Sequence, residues 1–264
     1  MSVKFKNFTD NDDIKMLDEQ GCFRIYEWQR DLSVTPGTAT IAYFCNTMNV
    51  RKRQVMCIVG KDGKGITTQA GAMQWTAGEV SATTGIKGAG DLLGKMVRGK
   101  VTGESAIKPE YVGKGLLMLE PTYKHLILVD VMRDFGGSVV LDDGLFLACE
   151  SQLQHKAVMR SNFSSAIAGG EGLFNLGING DGIVCLESMC PREELIEVEL
   201  ENDVVKIDGP MAVAWSGGLQ FTVERSGKTL IGSAASGEGL VNVYRGTGKV
   251  WLAPVSKPTL QHGL

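Results

Sequence analysis

The chain has 264 residues, of which 43% are hydrophobic and 22% are charged, and this balance is typical of a folded protein rather than of a disordered segment. Its 27 basic and 30 acidic residues leave a net charge of −3, so the chain has no overall positive field for a phosphate backbone, and we do not expect DNA as a partner. The 34 glycines follow no collagen-like period and predict many tight turns between short strands, which favours an all-β fold.

The amino-terminal region precedes the regular part of the chain. Residues 1–22 are polar and are predicted to form a flexible or loosely docked arm. From Phe23 to Val50, aromatic and β-branched residues flank the turn signal Thr35-Pro36-Gly37-Thr38, which predicts an extra hairpin. The amino terminus has no apolar leader segment, and no run of residues approaches the roughly 18 apolar residues of a membrane span. We therefore expect a cytoplasmic protein, not an integral membrane protein, with its six cysteines reduced.

A pattern of strand, turn, strand, Gly-x-(Met/Phe) and strand occurs three times after residue 50. Its copies begin at Gln54, His125 and Leu195, and the turn Asn179-Gly180-Asp181-Gly182 is a strong hairpin signal. The predicted boundaries are 1–49 for the arm and extra hairpin, then 50–123 with an insertion at 84–109, 124–192, and 193–264 with the tail. The glycines predicted to form the repeated structural turns are Gly71, Gly115, Gly144, Gly172, Gly209 and Gly239.

The insertion carries a local positive patch and four apolar residues at helical spacing. The patch residues are Lys87, Lys95, Arg98 and Lys100. An amphipathic helix with this pattern could bind lipid or an acidic partner, but a solvated helix that packs its apolar side on the protein is favoured. The Walker motif of a phosphate-binding loop is not met, because Ala89 and Met96 stand where it needs Gly and Ser or Thr, so a flexible surface insertion is favoured over a nucleotide site.

Candidate catalytic residues are few. The three histidines form no metal-binding motif, and the adjacent carboxylates Asp142-Asp143 point to opposite faces of an extended chain. Cys149 and His155 could serve as nucleophile and base, but one strand containing both would hold them about 20 Å apart. We therefore predict a buried thiol and a surface histidine. We expect no catalytic, cofactor or metal site, with hydrolase or oxidoreductase activity as a lesser alternative.

Several short motifs together resemble a known family over residues 50–255. They are Gly71-Ala72-Met73, the segment from Leu92-Leu93-Gly94-Lys95 to Gly103-Glu104-Ser105, the GKGL and GEGL turns, and Gly248 to Pro254. The chain resembles the altered-inheritance-of-mitochondria family, whose members are similar in fold to tryptophan-RNA-binding attenuation protein (TRAP). The resemblance implies three tandem TRAP-like modules, each a short double-stranded β-helix, and three chains that close a ring.

The repeats predict self-association independently of the family. An arc of modules has two unlike ends, and head-to-tail contacts between unpaired strand edges can close a ring. We expect Gln54–Val59 and Val250–Val255 at the junction. The predicted function is a non-enzymatic, homotrimeric ring that acts as a scaffold or binding platform, with an unknown protein or acidic partner. The alternative is a ring that binds a small ligand or single-stranded RNA, by analogy with TRAP.

Overall fold

The structure is a computed structural model that describes residues 3–48, 50–83, 108–159, 174–208, 211–225 and 240–255. It confirms the all-β fold. The helices are α1 (Ala39–Thr47) and α2 (Val131–Phe135), with 3-10 turns at Lys61–Gly63 and Arg192–Glu194. The strands are β1 (Ile14–Gln20), β2 (Phe23–Trp28), β3 (Arg53–Val59), β4 (Ile66–Thr68), β5 (Met73–Thr83), β6 (Glu110–Leu119), β7 (His125–Asp130), β8 (Ser138–Leu141), β9 (Phe146–Glu150), β10 (Gln154–Met159), β11 (Phe174–Asn179), β12 (Ile183–Ser188), β13 (Ile196–Asp208), β14 (Ala212–Ser216), β15 (Gln220–Arg225) and β16 (Leu240–Leu252).

These strands form two antiparallel sheets. The first has the order β1-β2-β3-β6-β4-β9-β12-β7, with β5 also paired to β6. Its end strands β1 and β7 come into contact, so the sheet is barrel-like and nearly closed. The second has the order β10-β11-β8-β14-β16-β13, with β15 also paired to β16.

The same set of strand pairings recurs along the chain. β6 pairs with the three strands before it, β3, β4 and β5, and β16 does the same with β13, β14 and β15. Between them, β11 and β12 divide this role, because β11 pairs with β8 and β10 while β12 pairs with β7 and β9. Two further pairings, β4 with β9 and β8 with β14, link successive sets.

The hydrophobic core is divided in the same way. We call its parts the first, second and third cores, according to the strand set that encloses each. The first core includes Cys57, Leu117 and Ile66, and the second includes Val129, Val184 and Leu141. The third core includes Leu200, Ile207, Trp215, Tyr244 and Val250. Alternation along each strand explains why adjacent buried residues such as Val184 and Cys185 belong to different cores, the second and the first.

The amino-terminal region differs from the prediction in two places. Part of the expected arm is the regular strand β1, which pairs with β2. The apolar residues near Ile41 lie in α1, not in a strand, because β2 already has β1 on one edge and β3 on the other. A further strand in that position would have no partner. None of the helices in the described ranges has the length and apolar character needed to cross a membrane.

The predicted hairpin at Asn179–Gly182 is also wrong. β11 and β12 flank this turn but do not pair with each other, because β11 belongs to the second sheet and β12 to the first. The turn therefore carries the chain from one sheet to the other.

The two segments expected at the junction between copies, Gln54–Val59 and Val250–Val255, do not form sheet edges. Strand β3 lies between β2 and β6, and residues 250–252 of β16 lie between β13 and β14.

Candidate functional site

A buried carboxylate ties three chain segments together. Glu150, at the end of β9, has no exposed surface. Its Oε1 accepts a hydrogen bond from the backbone N–H of Cys22 at 3.2 Å, and its Oε2 accepts from the N–H of Ile183 at 3.2 Å and from Lys64 Nζ at 3.0 Å. Gln152 Nε2 donates to the same Oε2 at 2.9 Å. Burial disfavours the ionised form, but these donors outweigh it, and the pKa of Glu150 is lowered.

Two turn glycines make room for this carboxylate. A Cβ at Gly21 would lie 2.5 Å from Glu150 Oε1, and Gly21 has a φ of +53°. A Cβ at Gly182 would lie 2.9 Å from Glu150 Oε2. The carboxylate thus fixes the β1–β2 turn and the β11–β12 crossing against β9, which is a structural role.

Cys149 and His155 are in contact, contrary to the prediction that they lie far apart. The Sγ of Cys149 lies 3.1 Å from Nε2 of His155. The cause is a turn at 151–153 that ends β9 and sends β10 back, so the two residues are not on one strand. The sequence signal that could have revealed this turn is weak, since Ser151-Gln152-Leu153 contains neither Gly nor Pro.

This pair is not an activated nucleophile. Burial raises the pKa of the Cys149 thiol far above its usual range, although the nearby Lys108 ammonium opposes the shift. The Nε2 edge of His155 faces the protein while the residue is otherwise exposed. Desolvation of that edge, with the charge of Lys108, lowers the pKa of His155 to about 4. At neutral pH both groups are uncharged, and Cys149 has no exposed surface to offer a substrate.

Among the strand edges without a partner in the ranges that the structure describes, those of β13 and β5 are relevant here. β13 pairs only with β16, and β5 pairs only with β6. Each edge exposes apolar side chains: Val204 on β13 is 43% exposed, and Met73 on β5 is 41% exposed. Unpaired edges of this kind can accept a strand from another chain.

An apolar face on the first sheet is covered by the amino-terminal arm. Met56, Met118 and Tyr26 are buried there, and Trp75 packs against them. Phe5 stacks on Trp75 with ring centroids 4.9 Å apart, and Phe8 packs on Tyr26 at 4.8 Å. The arm residues 3–13 thus cross the face of β2, β3, β5 and β6.

The predicted turn glycines have different environments. Gly71 and Gly144 lie in turns, with φ of +80° and +74°. Gly115 does not lie in a turn but inside β6, where it pairs with Val59 and Gly78. A Cβ on Gly115 would lie 2.1 Å from the carbonyl oxygen of Ala77, so close backbone approach is what requires glycine here. The other predicted residues lie outside the described ranges: Gly172, Gly209, Gly239, Lys87, Lys95, Arg98 and Lys100.

Comparison with known proteins places this chain among relatives of undetermined role. A family model described as mitochondrial biogenesis AIM24 matches residues 48–255, which run from before β3 to after β16. An uncharacterised protein of Streptococcus pyogenes serotype M6 is 30% identical over 198 residues, which are 72% of this chain and 77% of the relative. The crystal structure of a Streptococcus pyogenes protein is similar with a TM-score of 0.57 and 25% identity, covering 81% of this chain and 95% of that chain.

Proposed function

The chain belongs to the mitochondrial biogenesis AIM24 family, and on that premise we propose that it is a non-enzymatic protein whose copies join head to tail into a ring that serves as a scaffold or binding platform. The observation that supports this proposal is the recurring set of strand pairings. The pairings link each set to the next, and the edges of β5 and β13 that would continue them have no strand partner among the described residues. We name the sets module 1 (β3 to β6), module 2 (β7 to β12) and module 3 (β13 to β16).

Shared irregularities support the interpretation as three equivalent modules. A β-bulge separates Met73 from Trp75, Phe146 from Ala148, and Ala212 from Ala214, at the start of the corresponding strand in each module. Bulges are specific features of a strand pairing that related structures retain, so their matched positions favour equivalence of the three strands. When the three strands are aligned on their bulges, Thr76, Cys149 and Trp215 occupy equivalent positions.

The linking pairings then define a register for contact between copies. Thr67 of module 1 lies opposite Cys149 of module 2, and Val140 of module 2 lies opposite Trp215 of module 3. Each of Thr67 and Val140 lies six residues before the first residue of the next strand, and Lys206 has that position in module 3. The same link from module 3 therefore places Lys206 opposite Thr76 of a second copy, and Val205 opposite its Ala77.

The third core is less well covered than the other two. Val205 is half-buried, whereas its equivalents Ile66 and Val139 are both 0% exposed. Val198 and Leu252 are also half-buried, although their equivalents in modules 1 and 2 are at most 1% exposed. The equivalent positions are Cys57 and Val129 for Val198, and Leu119 and Leu186 for Leu252. Docking of a second copy would cover this side of module 3, which favours association by the hydrophobic effect.

Three further parts of the proposal rest on separate support. The number of three chains per ring comes from the family resemblance. The absence of enzymatic activity is supported by the buried, uncharged state of the Cys149–His155 pair, and we propose neither a cofactor nor a resident metal. A cytoplasmic setting is supported by the six cysteines, all in described ranges and all free thiols. An unknown protein or acidic ligand remains the proposed partner of the insertion patch.

Light scattering coupled to size exclusion tests the assembly. We expect a mass three times the chain mass of 28.4 kDa at micromolar concentration. A monomer at every concentration would contradict the ring, and a stable dimer would contradict the trimer. The alternative function is tested on the same fractions with labelled single-stranded RNA, where tight, saturable binding would favour an RNA-binding ring over a scaffold.

A further inference from the structure

The face beneath the amino-terminal arm is equivalent to two faces that are buried between modules. Trp75 lies opposite Met118 in module 1, Ala148 lies opposite Cys185 in module 2, and Ala214 lies opposite Trp251 in module 3. Ala148 and Cys185 pack into the first core, so this face of module 2 docks on module 1. Ala214 and Trp251 pack into the second core, so this face of module 3 docks on module 2.

In module 1 the corresponding face is covered by residues 3–13. Phe5 and Phe8 provide the cover, through their ring contacts with Trp75 and Tyr26. Met118 is 1% exposed and Met56 is 4% exposed, and Phe8 packs against their cluster together with Ile14, Trp75 and Leu116. The arm therefore lies where the third core of a preceding copy would dock.

Apart from its two ring contacts, the arm is held by few interactions with the rest of the protein, among them a hydrogen bond from the backbone N–H of Gln29 to the carbonyl oxygen of Asp13 at 2.7 Å. Residues 3–13 contribute no strand pairing, since β1 begins at Ile14. The arm bends through short-range hydrogen bonds, such as the backbone N–H of Asp13 to Asn11 Oδ1 at 2.9 Å. At its root, Arg30 Nε donates to Asp13 Oδ1 at 2.7 Å, in an exposed ion pair that contributes little stability. The arm can thus leave the face without disturbing either sheet.

We propose that residues 3–13 are an intrachain cap on the assembly face of module 1, and that the cap is displaced when the module 3 core of a second copy docks there. This inference rests on the proposed head-to-tail assembly. The second copy matches the face chemically, because both surfaces are apolar: Trp75, Met56 and Met118 on one side, and the incompletely covered Val198 and Val205 on the other. The family match begins at residue 48, so the cap lies outside the shared modules.

The test is sedimentation velocity over a concentration series with full-length variants. The substitutions Phe5→Ser and Phe8→Ser together remove both ring contacts of the cap. We expect the concentration for half-assembly to fall about tenfold, because each ring contact contributes about half of the free energy that corresponds to a tenfold change. Arg30→Gln is a second, milder variant that removes the ion pair with Asp13 at the root of the arm, and it should give a smaller shift in the same direction. The matched control is Leu32→Ser with Ile41→Ser, which removes exposed apolar side chains away from the face and should cause no shift.

The outcomes separate the cap from the ring. Stronger assembly of the Phe5/Phe8 variant than of the wild type and the control supports the cap. Assembly at unchanged concentration overturns the cap and leaves the ring in place. Weaker assembly also overturns the cap, because the arm would then contribute contacts to the junction. Absence of assembly in every variant overturns both the cap and the proposed function.

Discussion

The Sγ atom of Cys149 lies 3.1 Å from Nε2 of His155, across the turn that joins β9 to β10. In the proposed module 3 the corresponding residues are Trp215 and Phe221, whose ring centroids lie 5.7 Å apart. One pair is polar and the other aromatic, yet both fill the same position inside a module. On this correspondence, and because Cys149 is 0% exposed, we propose that the Cys149–His155 contact serves packing.

The thiols are expected to react in an order set by exposure. Cys45 is half-exposed, whereas Cys149 is completely buried and its pKa is raised by burial. With a thiol reagent at pH 8, we expect Cys45 to react first and Cys149 only as fast as the protein unfolds. Mass spectrometry of labelled peptides identifies the sites, and Cys45→Ser is the control that removes the fast phase. Rapid labelling of Cys149 in the folded protein would contradict the packing role.

Replacement of His155 by Phe should remove a pH dependence of stability. The pKa of His155 is lowered to about 4 from an ordinary value of 6.5, so on acidification the unfolded chain takes up this proton first. The contribution of His155 to the free energy of unfolding of the wild type therefore falls between about pH 6.5 and pH 4. Above pH 6.5 this contribution does not change with pH. Chemical denaturation at pH 8 and pH 4.5 should show His155→Phe gaining on the wild type at the lower pH. An equal difference at both values would refute the lowered pKa.

Glu150→Gln should destabilise the protein by about 3 kcal/mol, because the buried N–H groups of Cys22 and Ile183 and the partly exposed ammonium of Lys64 lose a charged acceptor. The control is Glu187→Gln, which breaks a partly exposed ion pair with Lys124 and should cost at most about 1 kcal/mol. Urea denaturation at pH 7 measures both.

The stability that Glu150 provides has a defined pH window. Its pKa is lowered in the folded state, so the contribution is complete above the ordinary value of 4.5 and is lost as the pH falls through the folded-state pKa. The difference between wild type and Glu150→Gln should therefore shrink in acid. A difference that is constant from pH 7 to pH 3 would contradict the role of the charge.

Gly21→Ala should cost more stability than Gly63→Ala. Both glycines have positive φ, at +53° and +76°, and a side chain at either pays about 1–2 kcal/mol for that conformation. At Gly63 a Cβ meets nothing within 4 Å, whereas at Gly21 it meets Glu150 Oε1 at 2.5 Å. Thermal unfolding should therefore place Gly21→Ala clearly below Gly63→Ala, and equal melting temperatures would contradict the fit of the carboxylate to the turn.

Periodicity and turn signals were sufficient to predict the strands that lie within the modules. The alternation at Leu195–Leu200 and the apolar run at Gln54–Val59 both correspond to strands, β13 and β3. Such patterns report which face of a strand is buried, and burial is what the sequence encodes most directly. They do not report the partner of each strand, which explains why the Asn179–Gly182 turn was assigned to a hairpin.

The features missed by sequence reasoning depend on tertiary contacts. Ile41 and Phe44 have strand-like character but lie in α1, because the sheet has no free edge for them there. The contact of Cys149 with His155 depends on a turn without Gly or Pro. The role of Glu150 could not be predicted either, since its partners Cys22 and Ile183 are far from it in sequence.

The proposed junction is tested most directly by an engineered disulfide. Val205 and Ala77 are equivalent to Val139 and Ser216, which lie opposite each other between β8 and β14, so cysteines there would face each other across two copies. The register control pairs Val205→Cys with Glu79→Cys, which moves one partner two residues along β5. Under mild oxidation, Val205→Cys with Ala77→Cys should give covalent oligomers up to a closed trimer on a non-reducing gel, with little product from the control. Equal cross-linking of both variants, or of neither, would contradict the head-to-tail pairing.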